Sequence, residues 1–223
     1  MQSLAPILEA LESFYGRQAP DWPTDPYLFL VWWHCGYPPG DERCNRGWEA
    51  LTAAIGTSAA ELAKARSPTL ARALKAGGMI PELRAARVKS IARDVLDARA
   101  GDLRAALAAL PADEARKLLR KFPGIGVPGA DRILLFARLA PAAAVPSASP
   151  QVLVRIASGR EGAKYTATYQ EAQRLIETQL PATFAARSRA YLLLRRHAGE
   201  LCKRRNPRCA ECPVSASCAY FAR

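Results

Sequence analysis

The sequence lacks what would carry it into or across a membrane. No apolar run in its 223 residues approaches the roughly eighteen residues of a membrane span, because Arg138 interrupts the best candidate. The first apolar stretch carries Glu9 and Glu12, which is wrong for a secretory signal. Both absences point to the cytoplasm. Acidic residues are also scarce: 20 Asp and Glu against 32 Lys and Arg leave a formal charge of +12. A field of that sign implies a polyanionic partner, nucleic acid first, although an acidic membrane surface would attract it too. Apolar side chains are in good supply at half of the residues, enough for one large domain or two small ones.

Helical periodicity and helix punctuation dominate what is present. Leu4, Ile7, Leu8, Leu11 and Phe14 recur at helical spacing, and Pro20 and Pro23 break the segment. Asp25 before Pro26 reads as a cap with proline at the first helical position, opening an apolar helix through Tyr27 to Trp33 that must be buried on nearly all sides. Gly36, Tyr37, Pro38, Pro39 and Gly40 end it, Pro39 lying outside the residues described below. A helix around Trp48 to Ile55 follows, then a Ser58–Glu61 capping box, then a helix opened by Ser67–Pro68 and stopped at Gly77–Gly78. Val88, Ile91, Val95 and Leu96 mark an amphipathic helix after Pro81, and Leu103, Leu107 and Leu110 another that ends at Pro111. Strand-like alternation is absent from this region.

Two further stretches carry chemistry. The helical string EARKLLRKF runs into Pro123, Gly124, Ile125 and Gly126 and then into a helix through Arg132 to Phe136. Helix, glycine turn, helix is an anion-binding form, because glycines let a backbone approach and amides at the start of the second helix point at a phosphate. Such a turn also occurs as a plain connection. Near the C-terminus Cys202, Cys209, Cys212 and Cys218 are separated by six, two and five residues in the basic loop CKRRNPRCAECPVSASC. Four thiolates with no histidine among them suit an iron-sulfur cluster or zinc, with disulfides a remote third possibility. Cys35 and Cys44 read as ordinary free thiols.

The cysteine gaps, with their Asn-Pro-Arg-Cys centre, resemble the 4Fe-4S loop of the endonuclease III family of DNA glycosylases. LLRKFPGIGVPGADRILLFARL resembles that family's helix-hairpin-helix, AVPSASPQVLVRI the segment after it, and DPYLFLVWW the entrance to its second barrel helix; together the likeness runs from about Leu4 to Phe221. The resemblance implies an all-α helix-hairpin-helix DNA glycosylase fold. Its six-helix barrel domain would span 26–139, with the hairpin at 114–138, and its cluster domain 1–25 and 140–223, with the loop at 202–218. It implies a 4Fe-4S cluster on Cys202, Cys209, Cys212 and Cys218, and a monomer that bends double-stranded DNA and flips a damaged base. Implied DNA contacts are Gly124, Ile125, Gly126, Val127, Gly129 and Ala130 of the hairpin, and Lys203, Arg204, Arg205 and Arg208 of the loop. Met79 and Ile80 stand where the family drives an apolar wedge into the duplex, or make a simple loop contact.

The chemistry of that family is not matched. Its bifunctional members carry a Schiff-base lysine two residues past the last glycine of the turn, a position that holds Pro128 here. The family aspartate that stabilises charge on the sugar would fall at Pro146, counting forward from the hairpin, or at Pro150, counting back from Val154, Arg155 and Ile156. No carboxylate occurs between Asp131 and Glu161. Ser147 and Ser149 are nearby, and Ser149–Pro150 reads as a helix cap. Asp131, on the second hairpin helix, reads as a solvated or capping residue and only weakly as catalytic. Where the family has a gap-filling glutamine this chain has Pro38; Tyr37 is a candidate to stack on a base and His34 a candidate acid-base group, each against a plain core role.

The resulting expectation is a DNA-binding protein of base-excision repair lineage, with lyase activity absent and glycosylase activity in question. Two alternatives stand beside it: a monofunctional glycosylase with a relocated catalytic group, and a redox-responsive iron-sulfur DNA binder.

Overall fold

A computed structural model describes residues 3–38 and 40–222. Among them twelve α-helices form, and the only strand-like pairing is an isolated bridge between Tyr37 and Gly78. In chain order the helices are α1 (Leu4–Tyr15), α2 (Pro26–Trp33), α3 (Asp41–Ala54), α4 (Ala59–Lys64), α5 (Ser67–Leu74) and α6 (Pro81–Ala98). They continue as α7 (Leu103–Ala108), α8 (Ala112–Leu119), α9 (Val127–Phe136), α10 (Gln151–Ser158), α11 (Tyr165–Gln179) and α12 (Phe184–Glu200). No helix among the described residues is long and apolar enough to cross a membrane.

The chain divides into two compact units, Asp21–Ile125 and the discontinuous Met1–Pro20 with Gly126–Arg223. In the first, α6 packs against α4 and α5, and α2 against α3, α6 and α7, around Val31, Leu51, Leu62, Leu70, Leu74 and Val88. The opening of α2 follows its sequence: Asp25 Oδ1 accepts from the amides of Tyr27 (3.0 Å) and Leu28 (3.1 Å), occupying two donors that a helix start leaves without partners. Phe29, Leu30, Val31 and Trp32 are then buried. The Ser58–Glu61 capping box is formed. Helix α3 begins at Asp41, well before Trp48, because Asp41 and Glu42 in its first turn suit the positive end of the helix dipole.

In the second unit α1 and α12 pack together, as do α10 with α11 and α12, around Leu4, Leu8, Leu11, Val152, Val154 and Leu193. The second hairpin helix also lies here: Phe136 meets the Tyr191 ring of α12 edge-on at 5.2 Å, and the Arg132 guanidinium lies 5.6 Å above that ring. The division between the units falls between Ile125 and Gly126, inside the hairpin turn. The aromatic packing on α12 is the reason.

Candidate nucleic-acid interface and thiol pocket

The hairpin turn is held open by glycine and by its neighbours. Gly124 has φ +69°, in the left-handed region, and a Cβ there would stand 3.4 Å from His34 Cε1 and 3.8 Å from Trp33 Nε1. His34 is buried, and its Nε2 lies 2.9 Å from the Pro123 carbonyl. A carbonyl only accepts, so Nε2 carries the proton and donates. Burial lowers the His34 pKa to about 4, so the ring stays neutral at physiological pH. His34 is thus a strut between α2 and the turn.

Glycines 124 and 126 are exposed, whereas Ile125 is buried and its amide donates to Phe122 O at 3.3 Å. No side chain caps α9, and Pro128 occupies its first turn, where no donor is missed. The amides of Gly126, Val127 and Gly129 make no hydrogen bond to another described residue. The amide of Ala130 donates to Gly126 O at 3.0 Å and its methyl is fully buried. The amides of Ile125 and Ala130 are thus occupied within the chain, unlike those of Gly126, Val127 and Gly129.

Two of the exposed apolar residues, Tyr37 and Met79, are joined through the backbone. Tyr37 N donates to Gly77 O (3.0 Å), and Met79 N to Tyr37 O (2.9 Å), so Tyr37 and Met79 sit on one bridge. Met79 is 61 % exposed, and its bonded partner Tyr37 and, further along the chain, Ile80 and Leu83 are exposed to lesser degrees. Below them, Arg84, only 1 % exposed, donates to four carbonyls: Met79 (2.9 Å), Cys35 (2.6 Å), Leu74 (2.7 Å) and Gly78 (2.8 Å). A Cβ on Gly77 would lie 1.7 Å from Cys35 O, so the loop approaches α2 as only glycine allows. Arg84 escaped the sequence reading because an arginine on an amphipathic helix ordinarily faces water.

Asp131 is 0 % exposed and accepts from Gln173 Nε2 at 3.0 Å, which corrects its reading as a solvated or capping residue. Pro146 and Pro150 are buried, Ser147 is exposed, and the expected Ser149 cap hydrogen bond is not made. Pro38 is exposed.

In the C-terminal loop Cys202, Cys209, Cys212 and Cys218 line one pocket, with His197 and Arg155 among its other walls. Among the described residues no three His, Cys, Asp or Glu side chains converge as a single-ion cage. Burial pushes the Cys202 thiol up to about 11, against the opposing pull of Arg155. Arg155 organises the loop: it donates to Lys203 O (2.9 Å) and Arg204 O (3.0 Å), pairs with Glu161 (2.6 Å), lies 3.9 Å from Cys202 Sγ and covers the Tyr220 ring at 4.9 Å. His197 Nε2 lies 3.6 Å from Cys212 Sγ while Tyr15 Oη meets Nδ1 at 2.9 Å. The sequence signal for both supports was thin, a lone Arg in an apolar helix and a lone His five residues before Cys202. Lys203, Arg204 and Arg205 are exposed, and Arg208 is exposed but paired with Glu211, which reduces its pull on an anion.

No family model and no curated protein matches this sequence. Solved structures do. A thermostable thymine-DNA glycosylase is 20 % identical over 97 % of this chain and 95 % of its own, with a TM-score of 0.72. Endonuclease III, in a trapped covalent intermediate with DNA, is 17 % identical over 100 % of this chain and 98 % of its own, with a TM-score of 0.76. An H. pylori 3-methyladenine DNA glycosylase bound to 1,N6-ethenoadenine is 20 % identical over 87 % and 93 %, with a TM-score of 0.60. Twelve helices in this order, with a glycine turn between α8 and α9, give the chain the all-α fold of the helix-hairpin-helix DNA glycosylases.

Proposed function

We propose that this chain is a double-stranded DNA-binding protein of base-excision repair lineage, working as a monomer, which grips a strand by its hairpin and lacks the strand-cleaving lyase step. The observation that carries the reading is the start of α9, where the amides of Gly126, Val127 and Gly129 make no hydrogen bond to another described residue and Pro128 stands at the resemblance's lysine position. Amides at a helix start favour a phosphate. The ring nitrogen of Pro128 is tied up in a peptide bond and has no proton or lone pair to offer a sugar C1′, so no Schiff base forms there. Lys203, Arg204 and Arg205 add exposed positive charge, and Met79 beside Tyr37 supplies an apolar edge of the kind that parts base steps.

The cysteine loop suits a 4Fe-4S cluster by the chemistry of its donor set: Cys202, Cys209, Cys212 and Cys218 line one pocket, and soft thiolates are the ligands such a cluster takes. Cys202, Cys209, Cys212 and Cys218 would hold it, and the bound cluster would cross-link the loop that displays the basic residues. Purified protein of yellow-brown colour supports this, and colourless protein with stoichiometric zinc opposes it.

DNA binding is tested by fluorescence anisotropy on intact and abasic duplexes at rising salt. Each phosphate neutralised should contribute about −0.9 to the slope of log K against log salt. Affinity indifferent to salt would sink the proposal. The neighbours that are base-specific glycosylases, together with an exposed Tyr37, favour one second reading: a monofunctional glycosylase whose catalytic group lies elsewhere. A panel of duplexes each bearing one modified base decides it, provided turnover is lost in Tyr37→Ala.

A further inference from the structure

The N-terminus of α10 is buried and uncapped. Pro150, Gln151, Val152 and Leu153 are all buried, no side chain accepts from the first turn, and no acidic residue lies in it. Val152 N donates to Ser149 O at 3.3 Å and Ser149 N to Pro146 O at 3.0 Å. The amides of Gln151 and Leu153 make no hydrogen bond to any described residue. A buried helix end ordinarily finds partners for such donors.

Two polar side chains around it also lack a protein partner among the described residues. Gln151 is 4 % exposed and Ser149 8 % exposed, and neither the Gln151 amide nor the Ser149 hydroxyl is hydrogen-bonded within the described chain. Side chains of a first turn lean toward the helix N-terminus, so the Gln151 amide is directed at the same end as the free backbone donors. The segment leading in is braced from α11: Tyr165 Oη donates to Ser147 O at 3.1 Å, and the Tyr165 ring stacks on Tyr169 at 6.1 Å. Two backbone amides, a carboxamide and a hydroxyl thus crowd a positive helix end, with no acidic residue from residue 132 to residue 160.

We infer that the N-terminus of α10 binds a phosphate group of DNA, with Gln151 and Ser149 as the side chains that hold it. The inference rests on the proposed DNA-binding function and deepens it. Donors and a helix dipole stabilise an anion. They oppose a developing sugar cation, so the same construction that receives a phosphate works against base removal at this place.

The first test does not require DNA. Inorganic phosphate, titrated against chloride at equal ionic strength, should produce saturating shifts in the 15N NMR signals of Ser149, Gln151, the Gln151 side chain and Leu153. Gln151→Glu, which brings an acceptor and negative charge to the donors, should weaken this binding by about tenfold. Ser149→Ala should weaken it less. No phosphate-specific shift, or equal shifts with chloride, overturns the site even if the protein binds DNA through its hairpin.

The second arm identifies the source. Duplexes with a one-nucleotide gap ending in 5′-phosphate or 5′-hydroxyl, and an intact duplex, are compared by anisotropy for wild type and Gln151→Glu. Loss confined to the 5′-phosphate duplex assigns a terminal phosphate; equal loss on all three assigns an internal one. Wild-type affinity on all three in Gln151→Glu overturns the DNA inference, whereas failure of the wild type itself to bind any duplex overturns the proposed function. Pro150→Asp separates the opposite reading: a gain of base removal there would contradict the assignment of this end to an anion.

Discussion

Replacing Arg84 by methionine keeps most of the buried volume and removes five N–H donors from beneath the Met79 loop. The guanidinium is satisfied entirely by carbonyls, those of Met79, Cys35, Leu74 and Gly78 at 2.6 to 2.9 Å. A hydrogen bond from a charged donor contributes about 1.5–3 kcal/mol, but four on one group do not add. Removing one partner of a buried charged network costs about 3–5 kcal/mol, so Arg84→Met should lose ~4 kcal/mol. That is a large fraction of a total stability of roughly 5–15 kcal/mol. Urea unfolding followed by tryptophan fluorescence reads it, since Trp22, Trp32, Trp33 and Trp48 all lie in the Asp21–Ile125 unit. DNA affinity should fall with it, because the loop that presents Met79 beside Tyr37 loses its floor. A loss smaller than about 1 kcal/mol, the contribution of a single neutral hydrogen bond, would refute the reasoning.

Three further outcomes are expected. His34 titrates near 6.5 unfolded and about 4 folded, so the unfolded chain binds more protons between those values. Its contribution is full above 6.5, falls as pH drops toward 4 and amounts to about 3 kcal/mol at most. In His34→Gln, which keeps a donor for Pro123 O, stability between these pH values should flatten; an unchanged slope would remove the strut. Gly124→Ala meets the φ of +69°, the new Cβ resting in ordinary contact with the His34 ring at 3.4 Å, so it should cost ~1 kcal/mol and weaken DNA binding, measured by thermal melting and anisotropy. Arg155→Met should leave Glu161 unpaired and the carbonyls of Lys203 and Arg204 without a donor. A loss of ~3 kcal/mol is expected, with lower iron content per chain; full iron content would show that the loop does not depend on Arg155.

Much of the architecture is legible from local chemistry. Asp25–Pro26 and Ser58–Glu61 open helices as their side chains dictate, because an N-cap needs only a short-range acceptor. The glycine turn before α9 is similarly local. What escapes is set by long-range partners. Arg84 and Arg155 look like solvated helix residues until carbonyls from distant segments surround them. Asp131 looks solvated until Gln173 arrives from α11. Ser149 has the sequence of a cap but does not make the bond, and Phe14 and Leu96 follow the apolar period yet remain exposed. Periodicity marks a face without showing how wide a strip of it the neighbours cover.

The most direct measurement is borohydride trapping on a duplex with a single abasic site, run beside an anisotropy titration of the same duplex. With Pro128 at the start of α9, saturable binding and no covalent protein–DNA band are expected. A trapped adduct, mapped by mass spectrometry to any amine of the chain, would contradict it.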